Sequence, residues 1–158
     1  MPAPEASPYV TREQAATLFD GTAEHIYQGD IFQSLELIVP RAGGMLEPII
    51  THAMVISHDC EFTKIADNVN KPLLVAPLRE LDTFSQKPQI IAGQAHALWA
   101  LPAEPPLDDE YGVDFRLIQP IAVGQLKDAE HWTCLGAKAK LSMQARLARF
   151  LLRREVAQ

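Results

Sequence analysis

The chain has 158 residues, an apolar fraction of 47%, a charged fraction of 22% and a formal net charge of −6. Those values suit one globular domain and exclude disordered and fibrous classes; the acidic sum argues against a protein that coats nucleic acid through bulk positive charge. Cys60 and Cys134 are too few for a disulfide framework and form no C-x-x-C pair. With no basic, apolar leader and no run long enough to span a bilayer, the expectation is a soluble cytoplasmic protein without membrane contact.

Residues 1–10 hold three prolines and no apolar face, which predicts a flexible tail ahead of a single domain over 11–158. Thr11-Arg12-Glu13-Gln14 has the form of a capping box, so a short helix is expected from Arg12 to Phe19, ended by Asp20-Gly21. From Gly29 the period changes: Leu35, Leu37 and Val39 alternate with Glu36 and Ile38, a strand from Ile31 to Val39 closed by a turn over Pro40–Gly44. The β-branched runs Ile49–Ser57 and Leu73–Ala76 predict central strands on either side of a polar loop. Further strands are expected at Ala95–Leu101, Phe115–Leu117 and Ile121–Val123, with Pro120 at an edge or bend. A helix capped by Ser142 and running to Arg154 closes the chain, docked through Leu147, Phe150 and Leu151. Residues 138–158 carry six basic side chains against one acidic, and the rest of the chain eight against nineteen. That asymmetry reads as a solvated basic face or as an end placed for a partner.

Several short words in this order resemble the MazF/PemK toxins of toxin-antitoxin systems. Gly29-Asp30-Ile31-Phe32 is similar to the family's opening strand, Ala53–Ser57 to its second, Leu74–Leu78 to its third, and Lys138–Leu152 to its basic closing helix. The resemblance implies an α+β, mainly β domain: a small closed β-barrel with a C-terminal helix, in a family that cuts RNA without a metal, dimerises and binds antitoxin peptides. Where the family places an arginine and a threonine or serine, this chain has His52 and Arg79. A closer likeness is to bacterial and phage proteins in which a strand is followed by a turn such as Ser57-His58-Asp59-Cys60-Glu61.

Ribonuclease chemistry needs a proton donor and acceptor and a cation for the phosphorane-like charge. His52, His58 and Arg79 are therefore the candidate catalytic set, expected to face one groove, with no cofactor. Phe62, Phe84 and Lys64 are the candidates for holding single-stranded RNA by stacking and charge. Beside this stands a plainer reading, in which His52 starts a strand and Arg79 pairs with Glu80 or Asp82. Asp59, Cys60 and Glu61 read as a structural turn: the two carboxylates oppose a Cys60 thiolate, and the spacing of His52, His58, Cys60 and Glu61 is poor for zinc. Two functions follow. The first is an RNA-binding protein, either a diverged endoribonuclease or one that has lost cleavage. The second is a non-catalytic module that holds a protein partner, with a homodimer as a further expectation; a thiol enzyme on Cys60 has least support.

Overall fold

The computed structural model describes residues 7–19, 21–41, 43–57 and 70–156, the last three by backbone alone. The elements are β1 (Tyr9–Val10), α1 (Arg12–Leu18), β2 (Asp30–Pro40), β3 (Leu46–Val55), β4 (Pro72–Glu80), α2 (Lys87–Ile91), β5 (Leu98–Ala100), β6 (Tyr111–Asp114), β7 (Gln119–Ala122), β8 (Glu130–Leu135) and α3 (Ala137–Val156). All strand pairs are antiparallel, in the order β1-β8-β2-β3-β4-β6-β5 with β7 beside β4. Among the described residues the domain is mixed α+β, with one eight-stranded sheet and a C-terminal helix. No described helix is long and apolar enough to cross a membrane.

The sheet is not closed, and this corrects the expectation of a closed barrel. It does curl: β7 lies along the first half of β4 and reaches back toward β2. The gap is bridged by a side chain. The Gln119 amide accepts from the Ile38 N–H at 2.8 Å and donates to the Ile38 carbonyl at 3.0 Å, doing with one primary amide what a strand would do with its backbone. Pro120, next along β7, has no N–H to continue a ladder.

Two cores lie on the two faces of the sheet, as the alternation of strand side chains requires. On one, Ile31, Met54, Ala76, Leu78 and Val113 pack beneath Ala139, Met143 and Phe150 of α3. On the other, Phe32, Leu35, Leu37, Ala53, Val55, Leu73 and Val75 fill the curl with Ile121 and Leu126.

The α1 cap is as predicted: the Thr11 side chain accepts from the Gln14 N–H, and the Gln14 side chain accepts from the Thr11 N–H. Tyr9 and Val10, expected in the tail, pair with Leu135 and Cys134. Tyr9 is buried and its hydroxyl donates to the Pro102 carbonyl; a single aromatic anchor gave no periodic signal. Helix α3 starts at Ala137, five residues before Ser142, because Ala137-Lys138-Ala139-Lys140 has strong intrinsic helix propensity. Leu151, expected to dock, is exposed, and Met143 takes its place. Residues Phe115–Leu117 form a 3-10 turn rather than a strand, since Asp114 caps it by accepting from the Arg116 N–H. Strands β6 and β8 were not anticipated.

Candidate functional site

Two irregularities meet at His52. Between the pairs Phe32–Ala53 and Leu35–Thr51, two β2 residues, Gln33 and Ser34, stand against His52 alone, and Ser34 takes φ 60°. Between the pairs Ile31–Thr133 and Phe32–His131, Trp132 is the extra residue of β8. Such bulges bend a strand and re-aim its side chains. The His52 ring lies 4.9 Å from Trp132 and 5.8 Å from Tyr111, and the Tyr111 and Trp132 rings are 5.8 Å apart. His52 Nδ1 is buried with no hydrogen-bond partner among the described residues. Tyr111 is anchored by its hydroxyl, which donates to Asp108 Oδ1 at 3.1 Å. Burial first, and then that bond, push its phenol up to about 12.

Arg79 is elsewhere. Leu78 and Glu80 stand opposite Val113 and Tyr111, so Arg79 leaves the other face of β4, opposite Gly112. His52, packed on Tyr111, belongs to the first face. The Arg79 guanidinium lies 5.8 Å from the centre of the Phe84 ring and 3.7 Å from Asp114 Oδ2. Asp114 is fully buried and is gripped by the Arg116 side chain at 3.0 and 2.9 Å. Arg79 thus helps to compensate a buried carboxylate, and its partner is neither Glu80 nor Asp82. The groove expected to hold His52 and Arg79 together is not formed. Of the remaining expected residues, Phe84 packs under Arg79, whereas His58, Asp59, Cys60, Glu61, Phe62 and Lys64 lie outside the described residues.

Three features escaped the sequence. Asp30, 1% exposed, accepts from the Tyr27 N–H at 2.7 Å and lies 3.0 Å from His131 Nε2, tying β2 to β8 through side chains. The Gly-Asp word hinted at the acid, but its histidine is 101 residues away.

The second is a cavity of about 340 Å³ between α3 and the loop joining α2 to β5. It is lined by Gly93, His96, Arg146, Arg149, Leu152 and Arg153. Arg146 donates to the Gly93 carbonyl at 2.8 Å and to the Ala95 carbonyl at 2.6 Å.

The third is the β2–β3 hairpin. Leu35, Leu37 and Val39 turn inward, while Ile38, Leu46 and Ile50, paired with Pro48, Pro40 and Glu36, turn out. Ile38 is 47% exposed, Ile50 66%, Leu46 69% and Met45, at the tip, 70%. This apolar strip runs outward along the strand from His52. The pattern was in the sequence as Ile38 breaking an otherwise polar outer set. No family model matches the chain, and no curated protein matches it.

Proposed function

We propose that this protein is a non-catalytic interaction module that holds an amphipathic segment of a protein partner on the outer face of the β2–β3 hairpin. The observation that carries the proposal is the uncovered strip of Ile38, Leu46, Pro48 and Ile50, too continuous for scattered surface residues. Glu36, opposite Ile50 on the same face, gives the strip a polar edge, as a small interface has. The occupant lies across the face rather than adding as a strand. Ile38 spends its backbone groups on Gln119, so its partner Pro48 turns its own backbone to the free edge of β3, where proline has no N–H to donate. Outside residues 138–158 the chain has eight basic against nineteen acidic side chains. The partner segment is therefore apolar on one face and basic along its rim.

A photo-crosslinker placed at position 50 identifies the partner, and binding is then measured with purified components. Ile50→Glu is expected to weaken that complex at least tenfold while leaving thermal unfolding unchanged, because Ile50 is two-thirds exposed. Equal binding by the variant, or crosslinks only between copies of this chain, would overturn the proposal, the latter in favour of a homodimer.

A second reading, RNA binding on an opened relative of the MazF/PemK barrel, is favoured by the gathering of Arg146, Arg149, Arg153 and His96 around one cavity. Incubating purified protein with single-stranded RNA, with and without chelator, tests it. Chelator-insensitive cleavage supports a metal-independent endoribonuclease, and neither cleavage nor binding removes the reading.

A further inference from the structure

We propose that the cavity between α3 and the α2–β5 loop is a binding site for the terminal phosphate of a ligand no larger than a mononucleotide at that end. The inference stands apart from the hairpin and rests on the composition of the cavity. Among the described residues its ionisable lining is one histidine and three arginines, with no carboxylate.

Arg146, Arg149 and Arg153 are spaced by three and four residues, which sets them in one row along α3. Arg146 is fixed by its bonds to the Gly93 and Ala95 carbonyls. Arg149 and Arg153 have no ion-pair partner among the described residues, although the chain carries a net charge of −6. Like charges brought together without a counter-charge repel, and an anion between them relieves that repulsion. Guanidinium groups present paired N–H donors that match phosphate oxygens, which a chloride-sized ion would leave unused. A terminal phosphate also carries more charge than an internal diester, suiting several cations at once.

The volume of about 340 Å³ falls at the small end of ligand cavities, which run from roughly 300 to 1,000 Å³. Leu152 offers an apolar wall for the part of the ligand beyond the phosphate. The loop is built to approach closely: Gly93 takes φ +76°, and a Cβ there would stand 3.3 Å from Arg146 Nη1. Glycine therefore lets the chain turn and bring its carbonyl onto the arginine.

The test uses the full chain and two sets of probes. Inorganic phosphate, AMP and ADP are titrated by calorimetry, and a short oligoribonucleotide with a 5′-phosphate is compared by fluorescence anisotropy with the same strand ending in a 5′-hydroxyl. Saturable AMP or ADP binding supports the site with a free nucleotide as ligand; preference of at least tenfold for the 5′-phosphorylated strand supports it with RNA as the source. In either case Arg149→Gln and Arg153→Gln should each weaken binding about tenfold, while Arg41→Gln, in the distant hairpin, leaves it unchanged. Arg149 is exposed, so its variant should keep the wild-type melting temperature. Failure of AMP and ADP to saturate together with equal binding of the two strands, or affinity unaffected by Arg149→Gln, would each overturn the proposal. The arginines would then serve only to balance the negative end of the helix dipole.

Discussion

Replacing Phe150 by alanine tests how α3 is held to the sheet. Phe150 is 8% exposed, and its ring centroid lies 5.9 Å from that of Phe115 in the helix-side core. Truncating a buried phenylalanine costs about 3–5 kcal/mol, from lost transfer free energy and the cavity left behind. Phe150 lies within two turns of the C-terminal end of α3, where the helix can shift to fill space, so the lower end, about 3 kcal/mol, is expected. For a chain of this length each kcal/mol moves the melting temperature by roughly 2–4 °C, giving a drop of roughly 6–12 °C. Leu151, next in sequence but 51% exposed, should lose less than about 1 kcal/mol on the same truncation. Urea denaturation of both variants measures the contrast, and a double-mutant cycle with Phe115→Ala should return a coupling of about 0.5–1.5 kcal/mol for the ring pair. Equal midpoint shifts for Phe150→Ala and Leu151→Ala would refute the packing of α3 described above.

Tyr111 makes stability fall at high pH. Its phenol is raised in the folded chain from 10 to about 12, so the unfolded chain releases the proton first; the stabilisation is whole below pH 10 and is lost as pH rises toward 12. Burial displaces Tyr9 in the same direction. Tyr111→Phe should flatten part of that fall in pH-dependent unfolding, and an unchanged profile would show that the Tyr111 phenol does not govern it. Gln119→Ala removes both bonds to the Ile38 backbone and, at a water-exposed position, should cost about 1 kcal/mol. Hydrogen exchange at the Ile38 amide should quicken at least several-fold, and unchanged protection would mean that the curl of the sheet does not depend on that amide.

What the sequence determined by itself was local. The Thr11 capping box lies within four residues, the inward set Leu35, Leu37 and Val39 follows from strand period alone, and the apolar run of α3 shows its helical spacing. Each signal is complete within a few residues of chain, so neighbours suffice to read it. Strand β6 was hidden because its residues are buried on both faces and follow the Pro- and Asp-rich stretch 105–109, and β8 because the extra residue Trp132 breaks its alternation.

Tertiary structure decided everything that depends on register or on partners far apart in the chain. Whether His52 and Arg79 share a groove turns on the side from which each leaves its strand, and a shift of one residue reverses that. The bulges at Gln33–Ser34 and Trp132 are such shifts; they set His52 beside Trp132 and Tyr111, while Arg79 goes to Asp114. The Asp30–His131 pair and the bonds from Arg146 to the α2–β5 loop join residues 101 and about 50 positions apart, whose approach no local spacing encodes. Closure of the sheet was likewise a matter of distance between β2 and β7. One glutamine amide spans that gap where the chain, with Pro120 at hand, supplies no backbone donor.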